Sequence, residues 1–314
     1  MIYSNIFGVV GNTPIVNIKV DTLEDINFYA KLEMFNPTGS VKDRAASYVI
    51  NHLLENNVIN KETVIMESSS GNFGVALSAY CKSKGLKFYC VIDKNISKDN
   101  EKIIDFLSEK VFKVDELDES GGYLLNRLKK IKELELLIPN SYWINQYASP
   151  LNAEAYYSTL GTEIINSFEY LDYCFIGVSS GGTITGVSQR IKEKFPEVKI
   201  IAVDIEGSLI FNKMPKKRSI PGIGSSMKPK ILEEALIDDV VIVTEEETIK
   251  MCHYLLQENS IFAGGSSGSV LAAAKKYFGN KSTVMNNQVL LILPDRGDRY
   301  TSTIYNPDWY NHLI

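Results

Sequence analysis

Serine- and glycine-rich loops recur in this chain at positions where a helical segment begins, and they constrain the fold more than any other feature. Glu67-Ser68-Ser69-Ser70-Gly71-Asn72-Phe73-Gly74 closes the apolar run 64–66 and opens an alanine- and leucine-rich helical segment. Ser179-Ser180-Gly181-Gly182-Thr183 does the same after the run 173–178, and Ala263-Gly264-Gly265-Ser266-Ser267-Gly268 opens a third helix. The spacing predicts strands at 28–32, 64–67, 88–92, 111–114, 174–178, 200–204, 240–243 and 289–293. Helices are predicted at 41–54, 74–84 and 98–107 between them. Continuous apolar runs, rather than alternating ones, belong to strands covered on both faces, hence to parallel α/β sheets. Ligands in such folds collect at the carboxyl ends of the strands, and the three loops are expected there.

A fourth segment carries the chemistry. In Asn36-Pro37-Thr38-Gly39-Ser40-Val41-Lys42-Asp43-Arg44-Ala45, Pro37 and Gly39 mark a turn and Ser40 reads as an N-cap. Lys42 then falls in the first helical turn, where the macrodipole disfavours an ammonium and lowers its pKa. Such a lysine can serve as a nucleophile or Schiff-base former. Read alone, such a lysine is far more often an ordinary surface cation.

Composition removes other classes. The 314 residues are 45% hydrophobic and 23% charged, which suits a soluble globular chain of two domains or one large one. A net charge of −5 gives no reason to expect nucleic-acid or membrane binding, and Lys216-Lys217-Arg218 reads as a solvated loop. No run reaches membrane-spanning length and no signal pattern opens the chain, so the cytoplasm is expected. Cys81, Cys90, Cys174 and Cys252 lack metal spacing and read as buried apolar residues in a reducing compartment. His52, His253 and His312 have no ligand partners at useful spacing, so neither a metal site nor a Ser-His-Asp triad is expected. Proton chemistry is left to Lys42.

The lysine turn and the three loops, in this order and spacing, resemble the pyridoxal-phosphate enzymes of the cysteine synthase and cystathionine beta-synthase family. The resemblance runs from Gly11-Asn12-Thr13-Pro14 to Pro294-Asp295-Arg296-Gly297-Asp298-Arg299-Tyr300. It implies a fold type II, tryptophan synthase beta-like architecture of two doubly wound α/β domains with the cofactor in the cleft. The N-terminal domain would comprise 1–12 and 35–145, and the C-terminal, phosphate-binding domain 13–34 and 146–314. The irregular, aromatic stretch 142–150 reads as the crossing between the halves. A homodimer is implied, without the regulatory domains appended to some relatives.

By the same resemblance Lys42 carries pyridoxal phosphate as a Schiff base and, once released, takes the substrate's α-proton. Ser179, Ser180, Gly181, Gly182 and Thr183 would hold the phosphate, since glycines admit close backbone approach and a helix N-terminus favours a dianion. A glycine-rich turn without ligand is the bland alternative. Ser266 would face the ring nitrogen, and a hydroxyl there does not hold that nitrogen protonated, which suits β-elimination and replacement. Asn72 would contact the ring hydroxyl. Ser69 and Ser70 would grip the substrate carboxylate with Gln146, although either serine also serves as a helix cap. The reaction implied is β-replacement on an O-activated serine through an aminoacrylate.

Phe73, Ser179 and Tyr147 depart from sulfide-using cysteine synthases, as does the tail 295–300. These positions are similar to those of the N-(2-amino-2-carboxyethyl)-L-glutamate synthases of 2,3-diaminopropionate and siderophore biosynthesis. That group implies O-phospho-L-serine as donor and L-glutamate as nucleophile. Tyr147, Ser179 and Arg296 would supply contacts for the second substrate. Arg127, Lys216, Lys217 and Arg218 are potential phosphate contacts that read more readily as surface residues. Cysteine synthase is the alternative, and a dehydratase fits the later loops poorly. A non-catalytic partner-binding protein ending in Ile314 is the alternative from another class.

Overall fold

The computed structural model describes residues 2–119, 121–279 and 286–312. Two sheets organise the chain. The smaller is formed by β3 (Val64–Ser68), β4 (Lys87–Asp93), β5 (Lys110–Val114) and β6 (Ser141–Trp143), in the order β5-β4-β3-β6. All of its pairs are parallel, because helices carry the chain back between strands. The larger runs β1-β2-β10-β7-β8-β9. It comprises β1 (Ile15–Ile18), β2 (Asn27–Leu32), β7 (Tyr173–Gly177), β8 (Lys199–Ile205), β9 (Asp239–Val243) and β10 (Gln288–Leu293). Only the β1–β2 pair is antiparallel; the others are parallel.

The apolar strands lie where covered strands belong. β3 is buried along its whole length, and Val289 to Leu293 of β10 are shielded on both faces. On the smaller sheet pack α2 (Asn72–Lys84), α3 (Lys98–Leu107) and α4 (Leu124–Leu137), and α1 (Lys42–Glu55) packs on α2. On α1, Ala45, Ala46, Val49, Ile50 and Leu53 form the buried stripe of an amphipathic helix. α2 ends at Gly85, whose positive φ of 68° closes the helix in the left-handed conformation.

On the larger sheet pack α7 (Gly182–Lys194) and α9 (Gly265–Gly279); α5 (Pro150–Tyr156) and α6 (Thr162–Ser167) pack on α7, and α8 (Glu245–Asn259) on α9. The short α10 (Pro307–Tyr310) follows β10. Among the described residues no helix is long and apolar enough to cross a membrane. All four cysteines are free and buried. Ile314 lies outside the described residues.

Three features of the fold were not foreseen from the sequence: two short strands and the route of the third loop. The edge strand β1 and the short β6 were not predicted; between β6 and α5 the chain is irregular over 144–149, as expected. Both strands are only three or four residues long, too short for a periodic signal. The third loop does not follow a strand. α8 turns at Ser260, in the left-handed conformation, and the chain passes into α9 beside the carboxyl end of β10. Gly264 N donates to Asp295 O there, which brings the loop to the strand ends by another route.

Candidate active site

A cavity of about 570 Å³ is lined by Lys42, the loop 69–73 and Gln146-Tyr147 on one side. Ser179, Ser180, Gly181, Thr183 and Ser266 line the other. It gathers every predicted site residue except Gly182 and Arg296. Gly182 instead packs against Asn152: a β-carbon there would stand 2.5 Å from the Asn152 amide nitrogen. That amide donates to Gln146 O at 2.7 Å, so the absent side chain lets one loop support the other.

Lys42 is the first residue of α1. Ser40 is not the N-cap; Val41 occupies that position, and Ser40 Oγ only accepts from Lys42 N at 3.3 Å. Ser40 is held instead in an antiparallel bridge to Asp295, which places the lysine against the tail of β10. Burial brings the Lys42 amine down to about 8, with Asp295 opposing the shift. Desolvation thus contributes the lowering that the helix start alone was expected to supply.

The loop between β7 and α7 has the form of an oxyanion cradle. Gly181 takes φ +88°, a left-handed conformation suited to glycine, and turns the chain into the helix N-terminus. Ser180 Oγ is buried without a hydrogen-bond partner, which is costly unless a ligand satisfies it. Thr183 lines the cavity beside it. Ser179 differs: its hydroxyl donates to Gly224 O at 3.1 Å, so its single proton is committed away from the cradle. An orphaned hydroxyl, a glycine turn and a helix start fit the phosphate of pyridoxal phosphate.

Ser69 and Ser70 take separate tasks. Ser69 Oγ accepts from Gly74 N at 3.0 Å and Gly71 N at 3.3 Å, capping α2. Ser70 Oγ donates to Asp93 Oδ2 at 2.7 Å and accepts from Arg127 Nη1 at 3.2 Å. Arg127 also pairs with Asp93, Nε to Oδ2 at 3.2 Å. Gln146 Nε2 donates to Ser68 O at 3.2 Å, joining its segment to the same loop. Beneath both, buried Glu67 accepts from Ser68 N and Gln146 N. Burial raises its carboxyl to about 7 against those bonds. Tyr147 is buried beside Arg127, and burial raises its hydroxyl pKa.

Asp295 was absent from the sequence-derived site, yet it joins the two predicted ring contacts. Its Oδ2 accepts from Asn72 Nδ2 at 2.8 Å and Tyr300 Oη at 2.6 Å, and its Oδ1 accepts from Ser266 Oγ at 3.3 Å. Arg299 donates to Asn72 Oδ1 and Thr38 O. Burial raises the Asp295 pKa while these donors oppose it. The isolated reading of Ser266 therefore changes: its proton is engaged by a carboxylate, leaving its lone pairs free to accept.

The cations also need reassignment. Arg127, Lys216, Lys217 and Arg218 all line the cavity, but Lys216 and Lys217 are exposed at its rim, as expected of surface residues, while Arg127 is buried and Arg218 half-buried. Arg296, expected to contact substrate, is exposed, pairs with Asp298 and is not among the lining residues. The signal for Arg127 was its place in the apolar stripe of α4 with Leu124, Ile131 and Leu134. Among the described residues no group of three or more His, Cys, Asp or Glu is placed to hold a metal.

The two-sheet fold with a lysine opposite an oxyanion cradle defines a class, and comparisons with known proteins agree. Residues 6–295 match the family described as pyridoxal-phosphate dependent enzyme. The chain belongs to that family; it is a fold type II, pyridoxal-phosphate-dependent enzyme. Among solved structures it is similar to an O-acetylserine dependent cystathionine beta-synthase from Helicobacter pylori, with 33% identity and TM-score 0.90. That match covers 98% of this chain and 100% of the other. An O-ureido-L-serine synthase is 29% identical, TM-score 0.88, covering 96% of this chain and 95% of its own. A hydrogen sulfide-producing enzyme from Fusobacterium nucleatum is 28% identical, TM-score 0.86, covering 95% and 100%.

Proposed function

We propose that the chain catalyses β-replacement on an O-activated L-serine, with O-phospho-L-serine as donor and the amine of L-glutamate as nucleophile. The products are N-(2-amino-2-carboxyethyl)-L-glutamate and phosphate, a step toward 2,3-diaminopropionate of the siderophore type. The observation that carries this reading is the cationic lining of the cavity: Arg127 on one wall, Lys216, Lys217 and Arg218 on the other. A phosphorylated donor and an amino acid with two carboxylates need such charge; sulfide does not. We place the enzyme in the cytoplasm, the default for a sequence of this composition, and by resemblance as a homodimer.

Bound pyridoxal phosphate supplies the electron sink that makes the substrate's α-proton acidic and lets the β-substituent depart. Ser180, Gly181 and Thr183 would hold its phosphate, Ser266 and Asn72 its ring, and Lys42 its carbonyl carbon. With its pKa near 8, the Lys42 amine is poised to take the α-proton and return it. Ser69, Ser70 and Gln146 would orient the substrate carboxylate through the loop that Glu67 supports. The carbon–oxygen bond to phosphate breaks, and the neutral glutamate amine forms a carbon–nitrogen bond at the same β-carbon.

A second reading takes O-acetylserine as donor, on the likeness to the Helicobacter relative. Mass spectrometry of products separates them, with O-phosphoserine or O-acetylserine each supplied with glutamate or sulfide. The expected result is the glutamate adduct from O-phosphoserine. Cysteine from O-acetylserine and sulfide, with glutamate ignored, would refute the proposal.

A further inference from the structure

Arg127 and Arg218 face the same cavity in different states. Arg127 is already paired with Asp93. Arg218 is half-buried and forms no ion pair among the described residues; Asp204 and Glu245 act on it only at longer range. Both acids are occupied: Asp204 accepts from Ile205 N and Phe211 N, and Glu245 from Ser219 N and Ile220 N. The guanidinium makes two long contacts, Nη1 to Ile223 O at 3.3 Å and Nη2 to Ser226 Oγ at 3.5 Å. Burial lowers its pKa, and the more distant Asp204 and Glu245 oppose that shift without reversing it.

The backbone around it is shaped for the guanidinium. A β-carbon on Gly224 would stand 2.5 Å from Arg218 Nη1, and Gly224 holds φ +75°. Gly224 O accepts the Ser179 proton at 3.1 Å, so Ser179 braces the turn beside the charge. The Ser179 hydroxyl thus has a structural task here beside the phosphate loop it belongs to. A half-buried guanidinium in a cavity wall, with no ion pair among the described residues, has the chemistry to receive an oxyanion.

We propose that Arg218, braced through Gly224 by Ser179, receives an oxyanion of the substrates: a carboxylate of the acidic acceptor or the phosphate of the donor. This rests on the acidic-substrate reading above, and the experiment separates the two. Cofactor-loaded wild type, Arg218→Gln and Arg218→Lys are titrated calorimetrically with L-glutamate and with inorganic phosphate. The KM values for donor and acceptor are then measured separately. Arg218→Gln is expected to weaken one of these arms by about tenfold or more, the scale of a lost charge-assisted hydrogen bond, with cofactor absorbance retained.

Arg218→Lys, which keeps the charge, is expected to recover part of the loss. Ser179→Gly, which removes only the brace, is expected to give a smaller loss in the same arm. A change confined to glutamate assigns the acceptor carboxylate; one confined to phosphate and O-phosphoserine assigns the donor. Unchanged binding and KM in both arms of a cofactor-loaded Arg218→Gln would overturn the proposal. If the wild type makes no glutamate adduct, the phosphate titration still decides Arg218 while the acceptor assignment falls.

Discussion

At the scale of single residues, the site is governed by burial of charge. Lys42 holds a folded-state pKa of about 8, below its ordinary 10.5, because desolvation outweighs Asp295. Between those values the folded chain binds fewer protons than the unfolded one, so stability rises with pH across that window. In the cofactor-free chain, Lys42→Met is expected to be more stable than wild type below about pH 8, the difference shrinking toward pH 10.5. Urea unfolding at several pH values measures this, and parallel pH profiles for the two chains would contradict it. Lys42, the serine loops and Asn72 were legible because each stands in a dense local pattern. Asp295 was not, since its part depends on Ser40, Asn72, Ser266 and Tyr300 meeting from distant positions. Arg218 was hidden for the same reason: three adjacent cations look solvated until the fold turns one inward.

At the scale of elements, α1 is held in place by charge as well as by its apolar stripe. Arg44, two residues after the lysine, is fully buried and pairs with Glu33 at 2.6 Å and Glu163 at 2.6 Å. Lys31 of β2 pairs with Glu163 at 2.7 Å, and Asn12 N donates to the same carboxylate. The network therefore ties α1 to β2, α6 and the loop at Gly11, whose φ of +87° keeps a side chain clear of it. Burial alone would raise the Glu163 carboxyl, but Arg44 and Lys31 outweigh it and bring it to about 2. Its contribution is present above the ordinary 4.5 and is lost as pH falls toward about 2. Glu163→Gln leaves two cations undercompensated and is expected to cost about 3–5 kcal/mol near neutrality, the scale for breaking a buried pair. The deficit should shrink in acid, and a deficit independent of pH would argue against the network. The strands and helices were readable from apolar runs and periodicity. The short strands β1 and β6 were not, because their formation is set by the partners β2 and β3 rather than by local preference.

At the scale of the whole molecule, we propose that the two sheets mark two domains, 1–12 with 35–145 and 13–34 with 146–314. Supporting this division, β1 and β2 pair with each other and, through β10, with the larger sheet, although they precede the smaller sheet in sequence. The cavity draws its lining from both groups of elements, with the lysine and substrate loop on one side and the oxyanion cradle on the other. Such an arrangement lets substrate binding couple to closure of the cleft. It also sets cationic side chains around the same space, which supports the acidic acceptor proposed above. The most direct test is competition in one vessel: cofactor-loaded enzyme, O-phospho-L-serine, and equal concentrations of L-glutamate and sulfide. The account predicts that N-(2-amino-2-carboxyethyl)-L-glutamate is the main product. Cysteine as the only product would contradict it.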